Sequence, residues 1–303
     1  MALLAGVDIG GTSVKVGLVD AAGRVVARTQ QQIPSEERAP ELVVALACAL
    51  VELALTQARH EATREQLAAI GVGCPGILLP NGVLHSAANF PTWDHAPLLQ
   101  LFKDQFTDVE VAVCNDADAA ILAEHWVGTA KEAVGSFVMI TLGTGVGVGI
   151  IEGGRLVRGS THAIEGGHML VERNGRLCGC GQRGCLEAYS SAGALVLEAQ
   201  EHVTAGADST LAAFPLEKIT AKLIFMLAAD GDPMCKRLIS EAADYLGYAC
   251  VSLCRILDPE MIVISGGMAE AGDVFLHEVR TAYKKYAWTR LPNPVTIEIA
   301  TAG

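Results

Sequence analysis

Leu3-Leu-Ala-Gly-Val-Asp-Ile-Gly-Gly-Thr-Ser-Val-Lys-Val-Gly-Leu-Val-Asp20 is the stretch on which the fold turns. Leu3 to Ile9 is mostly apolar, Gly10-Gly11-Thr12 interrupts it, and Val14, Val16 and Leu18 alternate before Asp20-Ala-Ala-Gly23 turns the chain again. Apolar runs on both sides of a glycine turn predict a β-hairpin with a glycine loop. A shift of 132 residues superposes a second copy, in which Gly11, Thr12, Val14, Val16 and Gly17 are answered by Gly143, Thr144, Val146, Val148 and Gly149. A hairpin repeated at domain-scale separation predicts two similar α/β halves facing each other across a cleft.

Between the copies, Pro40 to Arg59 reads as an Ala-, Leu- and Val-rich helix, Leu67 to Gly73 as a buried strand, Val109 to Cys114 as an alternating strand and Ala117 to Val127 as a helix. After the second hairpin come a Cys- and Gly-rich insertion, Arg173 to Gly184, a long helical tract from Pro233 to Leu257, and a strand, Met261 to Ile264, running into Ser265-Gly266-Gly267. Strands alternating with helices make the chain α/β with a mostly central sheet. The boundary is placed after Asp116, giving a domain 1–116 with the first glycine loop and a domain 117–303 with the second.

The 303 residues carry a formal net charge of −12, which argues against attraction to nucleic acid or to an anionic membrane surface. No uninterrupted apolar run reaches the roughly 18 residues of a membrane span, and the N-terminus lacks the basic and apolar segments of a signal peptide. Most of the nine cysteines, such as Cys48, Cys250 and Cys254, are scattered through apolar runs, which suits a reducing cytoplasm rather than a secreted disulfide framework. Small molecules or protein are therefore the expected partners, with neither nucleic acid nor membrane among them.

Three glycine loops follow strands. Backbone N–H groups freed of side chains can approach a phosphate closely, and an adjacent hydroxyl adds a donor. Asp8-Ile-Gly10-Gly11-Thr12 offers a phosphate cradle beside a carboxylate able to hold Mg²⁺ through water, with Lys15 either a solvated strand residue or in reach of a phosphate. Gly143-Thr144-Gly145 is a second cradle. Ser265-Gly266-Gly267 is read as opening a helix and suits an adenine or ribose lying against backbone. Neither the Walker pattern nor the dinucleotide fingerprint stands in its proper context.

Asn115-Asp116 ends a strand before a helix, where α/β folds place ligands. The carboxylate can take the proton of a substrate hydroxyl while the asparagine fixes a neighbouring hydroxyl with its amide, although both residue types are also common helix caps. Asp118 is an alternative cap that would leave Asp116 free.

Cys178-Gly-Cys180-Gly-Gln-Arg-Gly-Cys185 brings three thiols into eight residues, and His168 lies ten residues upstream. Three Cys and one His form a closed tetrahedral donor set, the pattern of a structural Zn²⁺; a redox-active loop beside a packed core histidine is the alternative. Glu165 and Glu187 bracket the cluster, and a metal clamp would fix both carboxylates, a pairing suited to the vicinal hydroxyls of a sugar.

Asp8-Ile-Gly-Gly-Thr12, Asn115-Asp116, Glu165-Gly-Gly-His168 and Cys178-Gly-Cys-Gly-Gln-Arg-Gly-Cys-Leu-Glu187 together resemble the ROK family of sugar kinases and repressors, from Ala5 to the last residues. The resemblance implies an actin-like (ribonuclease H-like) two-domain kinase fold with a zinc-binding insertion, usually dimeric. It implies that Asp116 is the general base, that Glu165, His168 and Glu187 bind the sugar ring, and that His168 serves metal and sugar together with Cys178, Cys180 and Cys185. Gly73-Cys-Pro-Gly76 and Asn89-Phe-Pro-Thr-Trp93 resemble segments of the glucokinase branch, with Asn89 touching the sugar and Trp93 either packing or touching it. The match departs at its end, where members usually continue past the segment matching Thr296 to Gly303 into one more Ala/Gly-rich helix.

The expected activity is ATP- and Mg²⁺-dependent phosphorylation of glucose, a glycolytic step. The alternatives are a kinase of N-acetylmannosamine, N-acetylglucosamine or fructose, and, from another class, a sugar-sensing regulatory protein without catalysis. A repressor would need a DNA-binding helix-turn-helix before the first glycine loop, and seven residues precede Asp8.

Overall fold

Aliphatic residues two apart give a strand one apolar face, and the buried positions Leu3, Ala5, Val7 and Ile9 make β1 (Leu3–Ile9) such a strand. The computed structural model describes residues 2–34, 38–58, 66–87, 89–131, 134–160, 164–287 and 295–302. β1 continues through antiparallel β2 (Ser13–Asp20) into antiparallel β3 (Val25–Gln32). The helix α1 (Pro40–Gln57) starts on a proline, whose missing N–H costs nothing in a first turn, and packs Val43, Val44, Ala47 and Val51 towards β2 and β3. β4 (Leu67–Cys74) then lies parallel to β1. A small hairpin, β5 (Ile77–Leu78) and β6 (Leu84–Ser86), and helix α2 (Leu98–Gln105) lead to β7 (Glu110–Asn115), parallel to β4. The sheet order is β3-β2-β1-β4-β7. Helix α3 (Asp116–Val127) follows at once and packs beside β4 and β7.

β8 (Phe137–Leu142), β9 (Val146–Glu152) and β10 (Arg155–Leu156) form a second antiparallel meander. After the cysteine segment come helices α4 (Glu187–Ser190), α5 (Ala192–Thr204), α6 (Ala221–Ala229) and α7 (Pro233–Leu257). β11 (Met261–Ser265), α8 (Asp273–Tyr286) and β12 (Thr296–Ile299) complete a sheet of order β10-β9-β8-β11-β12, with β11 parallel to β8 and β12. The two sheets share one topology. Ile9 pairs with Val14 whereas Leu142 pairs with Val146, so the first glycine turn is one residue longer than the second. The shift of 132 therefore aligns β2 with β9, while β1 aligns with β8 one residue further on.

The chain divides into two compact units, Met1–Val127 with Arg158–Ala163, and Gly128–Val157 with Ile164–Gly303. Each has its own apolar core: α1, α2 and the buried faces of β1, β2 and β4 build the first, and α5 to α8 on β8, β9 and β11 build the second. Helix α3, which the sequence reading assigned to the second domain, belongs to the first unit. Among the described residues α1 alone is long and apolar enough, by length and composition, to cross a membrane, and its apolar face is part of the first core.

Several boundaries shift. Helix α1 ends at Gln57 against an expected Arg59, which lies outside the described residues. Ser265-Gly266-Gly267 does not open a helix: Gly266 turns at φ 89°, a 3-10 turn spans Ala269–Ala271, and α8 begins only at Asp273.

Candidate active site

In the first unit the catalytic candidates stand at strand ends. Asp8 is the penultimate residue of β1, and its cross-strand neighbour Lys15 places Nζ 3.6 Å from Oδ2, with both side chains more than half exposed. The Gly10–Thr12 turn is held by Gly10 N–H donating to Ser13 O at 2.9 Å. A Cβ on Gly11 would meet Asn89 Cβ and Cγ at 3.0 Å, so the predicted phosphate loop and the predicted sugar-contacting residue are packed together.

Arg38 ties these pieces. Its guanidinium donates to the carbonyls of Gly11 and Asn89 and lies 5.3 Å from the Phe90 ring centroid, while its own carbonyl accepts from Trp93 Nε1 at 2.6 Å. Trp93 is buried and stacked on Phe90, with centroids 4.1 Å apart, which makes it a packing residue. Sequence reasoning missed Arg38. It sits 27 residues from Gly11 and 51 from Asn89, and no local pattern signals a contact over such a separation.

Asn115 closes β7, and its amide is engaged on both sides: Nδ2 donates to Gly76 O at 2.9 Å and Oδ1 accepts from Ala117 N at 2.8 Å. The helix cap is therefore Asn115 rather than Asp118, which pairs with Arg158 at 3.7 Å. Asp116 accepts at Oδ1 from Ala117 N at 2.9 Å. Loss of hydration, helped by the negative charge of Asp8, raises the Asp116 carboxyl above its ordinary 3.8, and the hydrogen bond from Ala117 only partly offsets this. The side chain is nonetheless open enough to solvent to meet a ligand. A groove of about 890 Å³ lies over the open face of the first sheet, with Asp8 and Lys15 in its lining, but Gly10, Gly11, Thr12 and Asp116 do not line it.

In the second unit the glycine loop and the cysteine segment share one carboxylate. Glu187 opens α4; its Oε2 accepts from Val146 N at 3.0 Å, and its Oε1 lies 3.7 Å from Cys178 Sγ. Gly145 has no room for a side chain, because a Cβ there would run into Glu187 Oε2. The 3-10 turn Gly166–His168 sits on β9, and a Cβ on Gly167 would collide with the Val146 carbonyl. That contact explains the Glu165-Gly-Gly-His168 pattern: glycine lets the turn press onto the strand, with Glu165 at its start and His168 at its end. Gly143 O accepts from Ala192 N at 2.8 Å, anchoring the loop to the start of α5. A cavity of about 450 Å³ is lined by Thr144, Cys178, Glu187, Ser191 and Gly193 among others. Gly266 backs the same loop, since a Cβ there would lie 2.5 Å from Leu142 O, whereas Gly267 has open space around it.

His168, Cys178, Cys180 and Cys185 place one donor atom each within 4.8 Å of one another. His168 Nδ1 stands 3.6 Å from Cys178 Sγ, and Cys180 and Cys185 Sγ are 3.7 Å apart. Burial and the neighbouring sulfurs push Cys185 up to about 12, whereas hydrogen bonding from Gln182 holds the exposed Cys180 at about 7. Three thiols and one imidazole converging at these distances are the donors of a closed tetrahedral site, and the donor set fits a divalent cation there. The segment is fixed from outside as well. Arg176 donates to Glu198 through two nitrogens, its backbone N–H donates to Tyr189 Oη at 2.7 Å, and its guanidinium stacks 4.9 Å from the Tyr189 centroid.

The model of the ROK family matches residues 4–303, and the chain belongs to that family. It is 34% identical over 304 residues to a glucokinase of Halalkalibacterium halodurans, covering 98% of this chain and 90% of that one. It is 33% identical over 268 residues to an N-acetylmannosamine kinase of Escherichia coli O157:H7, covering 87% and 83%. A solved ROK family glucokinase from Streptomyces griseus, in complex with glucose and AMPPNP, superposes with a TM-score of 0.81 at 31% identity over 100% of this chain and 95% of that one. The two like-ordered sheets with their helices are thus the α/β, actin-like kinase fold expected from the sequence.

Proposed function

We propose that the chain transfers the γ-phosphoryl group of ATP to the 6-hydroxyl of glucose, giving glucose 6-phosphate and ADP. The sugar oxygen attacks the γ-phosphorus in line, the bond to the β,γ-bridging oxygen breaks, and the hydroxyl proton passes to Asp116. The observation that carries this reading is Asp116 itself: an ionisable strand-end carboxylate with raised proton affinity, beside an amide pinned on both sides, in a ROK chain similar to a glucokinase. Phosphoryl transfer asks a protein mainly for positioning and charge stabilisation. Gly10, Gly11, Thr12 and Lys15, with Gly143, Thr144 and Gly145, are assigned to the phosphates, and Gly266 and Gly267 to the adenosine. Asp8 would hold Mg²⁺, which supplies neutralisation of the phosphate oxygens when bound.

Asn89, Asn115, Glu165, His168 and Glu187 are assigned to the sugar hydroxyls. His168, Cys178, Cys180 and Cys185 would hold a structural zinc ion, whose contribution is rigidity: it would clamp Glu187 and His168 in one place. With Nδ1 of His168 turned to the thiols, Nε2 is the nitrogen left for a sugar hydroxyl. The nine free cysteines suit a cytoplasmic protein, and the homodimer rests on the family resemblance. Phosphorylation of an N-acetylhexosamine is the second reading, favoured by the likeness to an N-acetylmannosamine kinase.

Product identity tests the proposal. With Mg-ATP and glucose, ³¹P NMR should show a phosphate ester at the 6-position and nowhere else. An ester at another hydroxyl, or none while glucose and ATP both bind, would overturn it.

A further inference from the structure

Outside the cysteine cluster, the described residues bring two imidazoles and a carboxylate together. His85 lies in β6 and His95 follows Trp93, and the antiparallel bridge between Leu84 and Ala96 sets the two histidines opposite each other. Two backbone hydrogen bonds fix this base, Leu84 N to Ala96 O at 2.8 Å and Ala96 N to Leu84 O at 3.0 Å. His85 Nδ1 stands 3.0 Å from His95 Nε2, with ring centroids 4.6 Å apart and planes at 77°. Behind His95, Asp94 Oδ1 is 2.6 Å from Nδ1.

An ionised carboxylate only accepts, so Nδ1 of His95 carries the proton and Nε2 presents its lone pair to His85. A carboxylate fixing the tautomer of an imidazole from its far nitrogen is the supporting arrangement of protein metal ligands. Two nitrogens each about 2.0–2.1 Å from one cation stand about 2.9 Å apart at a right angle and about 3.3 Å apart at the tetrahedral angle. The observed 3.0 Å lies between these values, so either geometry needs a shift of a few tenths of an ångström at most.

We propose that His85 and His95, oriented by Asp94, form a surface site for a divalent transition metal such as Ni²⁺ or Zn²⁺, with water completing the coordination. The site is separate from the cysteine cluster and closes the base of the segment that carries Asn89 and Trp93. Bridging the two imidazoles replaces their mutual hydrogen bond: the ring proton of His85 passes from Nδ1 to Nε2, so both nitrogens facing the metal present lone pairs and both imidazoles stay neutral.

Calorimetric titration of the full chain with Ni²⁺, its zinc content fixed beforehand by elemental analysis, tests this. One Ni²⁺ should bind per chain. Binding should weaken by tenfold or more in His85→Gln and in His95→Gln, and by about 10- to 100-fold in Asp94→Asn. It should be unchanged in His277→Gln, which removes an exposed histidine on α8. Absence of saturable Ni²⁺ binding to the unmodified chain would overturn the proposal whatever the variants do. Undiminished binding by folded His85→Gln would equally overturn it, leaving the trio a hydrogen-bond chain alone.

Discussion

The two sheets are built to one order, yet their faces and strand ends are furnished differently. β1 alternates between buried Leu3, Ala5, Val7 and Ile9 and the exposed Gly6 and Asp8, whereas Phe137, Val138, Met139 and Ile140 of β8 are buried in succession. Along the ladders, Asp8, paired with Lys15, corresponds to Thr141, paired with Gly147. The first unit therefore carries the charged strand-end groups, Asp8, Lys15 and Asp116. The second carries a loop anchored through backbone, with Glu187 hydrogen-bonded to it and a thiol cluster alongside. A shared backbone pairing accommodates divergent chemistry because ladder hydrogen bonds are indifferent to the side chains that leave each strand end.

Substitutions can break that division of labour. The largest effect is expected from Asp116→Asn, which should lower kcat about 10²- to 10⁴-fold while calorimetry shows glucose binding intact. Because partial loss of hydration and the nearby Asp8 charge disfavour the ionised Asp116 carboxyl, the same variant should match or exceed the parent in Tm at neutral pH; a clear loss of stability would speak for a structural carboxylate.

Chelation, or Cys185→Ser, should release one zinc per chain and weaken glucose binding more than ATP binding, since the thiols lie against Glu187 and His168 of the second unit. Equal loss of both ligands would indicate global unfolding instead. A paired test within one loop follows from sterics. Gly145→Ala forces Glu187 aside and should raise KM for glucose, whereas Gly143→Ala, with nothing within 4 Å of its Cβ, should not.

In the first unit, Arg38→Met leaves the Gly11 and Asn89 carbonyls without their charged donor and should cost about 1–3 kcal/mol in urea unfolding. The smallest effect is in pH dependence. A general base must be ionised, so kcat/KM should fall as pH drops through the raised Asp116 value, above its ordinary 3.8. The sign for stability is opposite: protonation is favoured in the folded chain, so the cost of the ionised carboxylate fades as pH falls through the same value. An acid limb at or below 3.8 would detach Asp116 from the rate.

Much of this was legible in residues two to four apart. The valines and glycines around Gly11 and Gly143 announced both hairpins because strand period and turn chemistry are local. The one-residue difference between the turns escaped, since only the cross-strand register reveals it. The cysteine spacing announced a donor cluster, but not that Glu187 would also cap the Gly145–Val146 turn, a contact across 41 residues. The sequence leaves Asn115, Asp116 and Asp118 all open as caps; the choice between neighbouring capping residues depends on where the amide can also reach, here Gly76 O. Arg38 and the His85–His95 pair were silent because each is assembled by chain reversals rather than by sequence neighbourhood.

Whether the chain is a hexose kinase with glucose as its substrate is read from ADP release with Mg-ATP against glucose, fructose, mannose, N-acetylglucosamine and N-acetylmannosamine. Glucose-dependent turnover should show the highest kcat/KM of the five and fall to background in Asp116→Asn. Preference for an N-acetyl sugar would contradict the substrate assignment, and no turnover with any sugar that binds would contradict the kinase itself.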